Sequence, residues 1–292
     1  MPRGLLTVLA ALLPVAGCGC GGSPELRFAA LGSTGTGGEA QHAVAGALAR
    51  WHDREDLDFV VLLGDNFRPA GVVSTDDPLW RTRFSDVYSR RGLPLPFLAV
   101  PGDRDHDGDI DAQIVYAGDD RWDMPGRYYR MEYRLTGGRS VELYVIDTTR
   151  LRDRENPDSQ QLAWLSGKLA ASTADWRIVA GHHGILRVDG KPDRYLSRTI
   201  LPLLQDHAVD LYLSGREHVL AFQTDPAGML HVTSGAGALV SDPRPSPGIA
   251  CLAPRQGFVA ITVARRQLRL AAVDRDDEVR CTQVMEARRE QG

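Results

Sequence analysis

Four side chains able to coordinate a metal ion each follow an apolar segment of the sequence. They are Asp65, Asp103, His182 and His218. Carboxylate and imidazole groups are the usual oxygen and nitrogen ligands of divalent transition metals. A single Asp after a strand is about as often a turn or helix cap, so the indication depends on all four together. If each apolar segment is a strand, the four groups converge at one edge of an α/β fold.

The elements that would position these groups follow from hydrophobic patterning. Buried strands are predicted at 26–31, 60–63, 97–100, 177–180, 211–213, 230–233, 258–263 and 268–273. A hairpin is predicted from 128–135 and 141–146, and helices at 39–51, 78–88, 159–171 and 201–207. This order predicts an α/β (α+β) protein with two packed mixed β-sheets, helices outside and one site at the top.

Composition narrows the class of protein and of partner. The chain has 292 residues, of which 43% are hydrophobic and 25% charged, which suits one large α/β domain or two small ones. Its net charge of −4 provides no general attraction for nucleic acid. We therefore expect no nucleic-acid partner.

The N-terminus is typical of an exported protein. Arg3 precedes an apolar run at 5–15, and the following Val15-Ala16-Gly17-Cys18 resembles the lipobox of bacterial lipoproteins. The resemblance implies a signal peptide at 1–17, lipidation of Cys18, a Gly-rich tether at 18–24 and anchoring in the bacterial cell envelope, in the periplasm or at the cell surface. Cleavage without lipidation is the alternative. Export would permit a disulfide, for which Cys251 and Cys281 are the available pair.

Several motifs, in order, resemble the calcineurin-like metallophosphoesterases, and most closely the purple acid phosphatases of the tartrate-resistant type. They are Gly64-Asp65-Asn66-Phe67, Phe84-Ser85-Asp86-Val87-Tyr88, Ala112-Gln113-Ile114-Val115-Tyr116, Gln161-Leu162-Ala163-Trp164-Leu165, Ala180-Gly181-His182-His183 and Ser234-Gly235-Ala236-Gly237. The resemblance extends over about 26–273. It implies one metallophosphoesterase-like domain at 25–287, folded as a four-layer sandwich, with two metal ions that activate water for attack on a phosphate ester.

Compared with that family pattern, the site is only partly retained. Asp65 is at the position of the bridging carboxylate, His182 at a ligand of the second metal and His218 at a ligand of the first. Asp103 replaces an asparagine ligand and can still coordinate. We therefore expect none, or one, divalent metal (Zn, Fe or Mn), held by Asp65, Asp103 and His182, rather than two.

Four family positions carry other residues. Ser33 replaces an aspartate, Arg68 the tyrosine that colours purple phosphatases, Arg104 the histidine that protonates the leaving group, and Arg216 a histidine ligand. Arg68, Arg104 and Arg216, with Ser33 opposite, could surround the remaining carboxylates and bind an anion, because guanidinium groups bind phosphate bidentately. Compensation for the lost cations and neutral drift are the other two explanations.

Two neighbouring groups have more than one interpretation. The acidic run from Asp103 to Asp111 partly matches a calcium loop, but Ile114 is at the position that needs a bidentate Glu. Asp105 is expected to orient a neighbouring side chain. His183 is expected to face solvent or to support a ligand.

These observations lead to three hypotheses. In the first, the protein has a degenerate site and little catalytic power, and its partner is a phosphate-containing small molecule or an envelope protein. In the second, it is a working phosphomonoesterase with one metal, in which Arg104 and Arg216 hold phosphate while His183 or His218 handles protons. In the third, it is a purely structural envelope lipoprotein.

Overall fold

The first β-sheet contains seven strands, and its central strands are parallel. The computed structural model describes residues 23–89, 91–153, 155, 157–244 and 246–287, so the predicted signal peptide and Cys18 lie outside the described residues. The sheet order is β14-β13-β12-β1-β2-β3-β4. The bounds are β1 Glu25–Leu31, β2 Phe59–Leu62, β3 Phe97–Ala99, β4 Trp122–Asp123, β12 Gly257–Ala264, β13 Gln267–Asp274 and β14 Val279–Glu286. Strands β1 to β4 run parallel, whereas β12 to β14 are antiparallel.

The second sheet also has seven strands, in the order β11-β9-β10-β8-β7-β6-β5. The bounds are β5 Tyr129–Arg134, β6 Ser140–Val145, β7 Trp176–Ala180, β8 Leu211–Ser214, β9 Leu220–Thr224, β10 Leu230–Ser234 and β11 Ile249–Ala253. Strands β6, β7, β8 and β10 are parallel. The predicted hairpin forms from β5 and β6.

Helices cover the outer face of each sheet. They are α1 Glu39–Glu55, α2 Asp86–Ser89 preceded by a π-helical segment at Trp80–Ser85, α3 Asp103–His106, α4 Ile110–Val115, α5 Thr148–Leu151, α6 Ser159–Ala170 and α7 Leu196–Asp206. Along β1, Phe28 and Ala30 pack between the sheets, while Ala29 and Leu31 pack on the α1 side. Burial on both faces explains why the central strands are continuously apolar. The predicted arrangement of two mixed sheets flanked by helices is confirmed.

A disulfide joins the edges of the two sheets. Cys251 in β11 is bonded to Cys281 in β14, and their Cα atoms are 6.0 Å apart. The bridge connects strands 30 residues apart in sequence. It therefore restrains the outer edges of the two-sheet core, far along the chain from the predicted metal ligands.

The structure differs from the predicted elements mainly at their ends. Helix α7 begins at Leu196 rather than 201, because the Asp193 carboxylate accepts hydrogen bonds from the Tyr195 and Leu196 N–H groups, each at 3.0 Å. The predicted start had placed Pro202 in the first turn, where proline is common, but it lies inside the helix. Strands β4, β9, β11 and β14 were not predicted. None of the helices in the described part of the chain has the length and hydropathy needed to cross a bilayer.

Candidate functional site

The parallel strands of both sheets end at a single cavity. Residues after β2 and β3 reach it from the first sheet, and residues after β8 reach it from the second. The cavity has a volume of about 180 Å³. Its lining consists of Asp65, Arg68, Asp103, Arg104, Arg216 and His218. The structure thus brings together the predicted residues from distant parts of the sequence, with His182 directly behind them.

Asp65 is the most enclosed carboxylate that lines this cavity, with 4% of its surface exposed. Arg68 donates a hydrogen bond from Nη2 to Asp65 Oδ2 at 2.6 Å. The backbone N–H of Arg104 donates to Asp65 Oδ1 at 2.9 Å. A buried carboxylate without such partners would be costly, so the Arg68 guanidinium stabilises the ionised Asp65.

His182 is fully buried beside Asp65, and its tautomer follows from its partner. Nδ1 lies 2.8 Å from the carbonyl oxygen of Leu63, which can only accept, so Nδ1 carries the proton. Nε2 is then a lone-pair acceptor, lies 3.3 Å from Asp65 Oδ1 and has no hydrogen-bond partner. Burial lowers the pKa of His182 to about 4, although the Asp65 charge acts in the opposite direction. His182 is therefore neutral near pH 7.

Glycine at position 64 makes this approach possible. Gly64 has a φ of +85°, in the region that favours glycine. A Cβ atom at this position would lie 2.5 Å from His182 Nδ1 and 2.9 Å from the Cα atom of Gly102. The sharp turn before Asp65 therefore requires glycine both for its backbone conformation and for space.

Asp103 is paired with a different set of groups. Arg216 Nε donates to Asp103 Oδ2 at 2.9 Å, and Thr149 Oγ1 donates to Oδ1 at 3.0 Å. His183 Nε2 lies 3.2 Å from Oδ1. Burial raises the pKa of Asp103, but His183 and Arg216 outweigh that effect and hold the pKa well below its usual range. Asp103 is therefore an anion that already has a guanidinium partner.

His183 is buried and supports Asp103 from behind. Arg152 Nη1 donates to His183 Nε2 at 2.7 Å, and Nδ1 lies 2.9 Å from Thr148 Oγ1. Burial lowers the pKa of His183, and the nearby guanidinium of Arg152 lowers it further. Of the two roles expected for His183, the structure shows the supporting one. Sequence reasoning missed Thr148, Thr149 and Arg152, although a polar cluster directly after a strand was the signal used for Asp65.

Asp105 joins the two loops that carry Asp65 and Asp103. Its carboxylate accepts hydrogen bonds from the backbone N–H groups of Asn66, Phe67 and Gly102 at 3.0, 3.3 and 2.9 Å. The side-chain amides of Asn66 and Gln113 donate to it as well, at 3.1 and 3.3 Å. Burial, with the charge of a nearby carboxylate, raises the pKa of Asp105 to about 7 despite these bonds. Asp105 therefore positions the loops around the cavity, as expected.

Two residues of the predicted anion site have other partners. The Arg104 side chain lines the cavity, but Nη1 donates to Asp107 Oδ2 at 3.0 Å, and only its backbone contacts Asp65. The reason is α3, which places Arg104 and Asp107 one turn apart. The Ser33 hydroxyl donates to the Gly215 carbonyl at 3.1 Å, and Ser33 is fully buried. Ser33 therefore supports the wall of the site.

The acidic run does not form a calcium loop. Asp103 points to Arg216, Asp105 to backbone N–H groups and Asp107 to Arg104. These three carboxylates have separate partners, so they do not converge on one ion.

The donor set does not fit two metal ions. Both oxygens of Asp65 and both oxygens of Asp103 already accept hydrogen bonds, and one guanidinium group is paired with each carboxylate. His218 Nε2 lies 3.4 Å from Arg68 Nη2, so a cation already stands beside it. Two positive groups thus neutralise the carboxylates that would have bound two ions.

One pair of groups fits a single ion. His182 Nε2 and Asp65 Oδ1 are 3.3 Å apart. Two ligands of one tetrahedral ion, with bonds of ~2.0–2.2 Å, are about 3.4 Å apart. Within the described residues, no third His, Cys, Asp or Glu completes a three-ligand group with this pair.

Comparison with known proteins agrees with this architecture. The family model described as calcineurin-like phosphoesterase matches residues 26–220. Tartrate-resistant acid phosphatase type 5 of Homo sapiens is 34% identical over 257 residues, covering 80% of this chain and 78% of the relative.

Two solved structures extend the comparison. The structure described as "GAP50 the anchor in the inner membrane complex of Plasmodium" superposes with a TM-score of 0.85 at 26% identity, covering 91% of this chain and 90% of that chain. Purple acid phosphatase PPD1 of yellow lupin superposes with a TM-score of 0.69 at 16% identity, covering 90% of this chain and 54% of that chain. On the family match, the identity and the fold, this chain belongs to the calcineurin-like phosphoesterase family, with purple acid phosphatases among its relatives.

Proposed function

We propose that this protein is a catalytically impaired member of its family whose degenerate metal site binds a phosphate-type anion. The observation that carries the proposal is the pairing of Arg68 with Asp65 and of Arg216 with Asp103, at 2.6 and 2.9 Å. In a dinuclear phosphatase, two ions both hold the phosphate and activate the water. Guanidinium groups can replace the first of these functions, because they bind phosphate, but they cannot activate water.

The charge of the cavity supports anion binding. Three guanidinium side chains, of Arg68, Arg104 and Arg216, face two carboxylates. The side chain of Arg216 is 53% exposed and uses Nε on Asp103, which leaves its terminal nitrogens free for a ligand. Guanidinium donors in a fork match two phosphate oxygens at once. A small anion such as orthophosphate suits a cavity of about 180 Å³.

The second candidate function is a slow phosphomonoesterase with one divalent ion, of Zn, Fe or Mn. It is favoured by the free, buried Nε2 of His182 beside Asp65. When bound, such an ion would supply Lewis-acid chemistry to a phosphate ester. Arg104 and Arg216 would hold the phosphate. His218 would handle the proton, because burial and then Arg68 lower its pKa and keep its ring neutral near pH 7.

Hydrolysis of p-nitrophenyl phosphate distinguishes the two candidates. The impaired protein should show no turnover above that of Asp65→Ala and His182→Ala, from acidic to neutral pH. Turnover that disappears in both variants would establish the phosphomonoesterase and contradict the first proposal.

We also propose that the protein is exported and held at the bacterial envelope by a lipid on Cys18, as the N-terminal pattern predicts. The relative named as an anchor in the inner membrane complex has the same fold. That likeness supports a binding rather than a catalytic use of the domain, with an envelope protein as a further partner.

Thermal unfolding with and without orthophosphate tests the anion proposal. At about 100 times its dissociation constant, the ligand should add ~2.7 kcal/mol, or about 5 °C in Tm. Arg216→Ala should remove this shift. Arg265→Ala is the matched control, because Arg265 is an exposed arginine just after β12, and β12 ends beside the start of β1, at the opposite end of the sheet from the site. An unchanged shift in Arg216→Ala would contradict the proposal.

A further inference from the structure

The candidate cavity opens into a longer basic groove. Arg216 lines both the candidate cavity and a narrow passage of about 70 Å³, whose other charged residues include His183 and Glu217. Arg152, Arg187 and Asp193 line this passage and also a larger hollow of about 540 Å³. We call this hollow the basic basin. Its charged lining is Arg152, Arg187, Lys191, Asp193, Arg194 and Arg198.

A continuous series of contacts connects the two ends of the groove. Arg216 contacts Asp103 at 2.9 Å, and Asp103 lies 3.2 Å from His183. Arg152 bonds His183 at 2.7 Å on one side and Asp193 at 2.9 Å on the other. The wall between the candidate cavity and the basin is therefore a fixed network, so a ligand could contact both ends without rearranging it.

The basin has an excess of positive charge. Five cations and one carboxylate line it, although the whole chain has a net charge of −4. Arg152 is paired with Asp193, and Arg187 is paired with Asp189. Among the described residues, no ion pair involves the side chains of Lys191, Arg194 or Arg198, which are exposed. Three cations thus remain available to a ligand.

The size of the basin indicates what it binds. Pockets for small molecules have volumes of roughly 300–1,000 Å³, a range that includes the basin but not the candidate cavity. The free cations line a concave hollow rather than a broad face, and the chain as a whole is acidic, which favours a compact ligand over a long polyanion.

We propose that the groove is one extended site for a ligand with two or more phosphate groups. One phosphate occupies the candidate cavity at Arg68 and Arg216, and another occupies the basic basin at Arg194 and Arg198. The inference rests on the proposed function, because it assigns the ligand class of the same anion site. The shared chemistry is that of a free oligophosphate or of a bisphosphorylated lipid headgroup.

Calorimetric titration with orthophosphate and with inorganic tripolyphosphate tests the proposal. Tripolyphosphate should bind more tightly than orthophosphate, and raising the salt concentration should weaken its binding. Arg194→Ser and Arg198→Ser should each weaken tripolyphosphate binding by roughly threefold, and together by about tenfold, as expected for exposed charge pairs. Neither should change orthophosphate binding. Arg265→Ser, the control for loss of an exposed arginine, should change neither ligand.

Each outcome is assigned in advance. Tripolyphosphate binding that is no tighter than orthophosphate binding, or that falls equally in Arg265→Ser, overturns the extended site and leaves the anion proposal standing. Loss of orthophosphate binding alone, with tripolyphosphate still sensitive to Arg194 and Arg198, contradicts the anion proposal and leaves the basin.

Cosedimentation with phosphatidylcholine vesicles, with and without phosphatidylinositol bisphosphate, distinguishes the two sources of ligand. Binding to the bisphosphate vesicles that is lost in the variant lacking both Arg194 and Arg198 assigns the site to a lipid headgroup. Binding of free tripolyphosphate alone assigns it to a soluble oligophosphate. Absence of both overturns the proposal.

Discussion

Removing the Asp105 carboxylate should destabilise the whole protein and disorganise the site, although Asp105 does not line the cavity. The carboxylate is fully buried and accepts hydrogen bonds from three backbone N–H groups and two side-chain amides. In Asp105→Ala all five donors lose their acceptor. The loops that carry Asp65 and Asp103 then lose their common attachment.

The magnitude follows from the burial of these donors. Each buried donor left without a partner costs ~1–3 kcal/mol, but the losses are not additive because water and small shifts recover part of them. We expect a total loss of about 3–5 kcal/mol for Asp105→Ala, as for other broken buried charge networks. Asp105→Asn retains one acceptor oxygen and should lose about 2 kcal/mol. The control Asp107→Ala removes a carboxylate whose side chain is 52% exposed, and should lose less than about 0.5 kcal/mol.

Urea unfolding of the four proteins gives these differences. The measurement is made about one pH unit above the pKa of Asp105, so that the wild-type carboxyl is ionised. Stabilisation by orthophosphate should also weaken in Asp105→Asn and persist in Asp107→Ala. If Asp105→Ala unfolds within 1 kcal/mol of wild type, the claim that this carboxylate holds the two loops together is refuted.

Three further predictions concern the backbone, the disulfide and acid stability, and urea unfolding measures each. Gly64→Ala should lose about 3 kcal/mol through backbone strain and overpacking, whereas Gly137→Ala, at a φ of +79° with open space around it, should lose only about 1 kcal/mol; equal losses would refute the packing argument. Cys251→Ser with Cys281→Ser should lose about 3–4 kcal/mol because the bridge spans 30 residues, and an unchanged midpoint would contradict this. Burial raises the pKa of Asp225, but its hydrogen bonds prevail and lower the pKa to about 2, so stability present above 3.8 is lost as the pH falls through about 2. Wild type should therefore lose about 1–2 kcal/mol more than Asp225→Asn over that range, and parallel pH curves would exclude this effect.

The sequence was sufficient to predict the two-sheet architecture and the convergence of the site, because both follow from where apolar runs end. Asp65 and Asp103 follow buried parallel strands, and the ends of such strands meet. Side-chain direction was less predictable. The helical turn at 103–106 directs the Arg104 side chain to Asp107, and no apolar pattern encodes that choice. Arg152 was missed because its role depends on a contact across the chain, with His183, rather than on a local motif.

The central claim is that the guanidinium groups of Arg68 and Arg216 now neutralise carboxylates that would otherwise bind two metal ions. Metal analysis of the full chain, purified without chelators, tests this claim most directly. The account predicts at most one divalent ion per chain, lost in His182→Ala and absent from any second position. Two tightly bound ions per chain in the wild-type protein would contradict it.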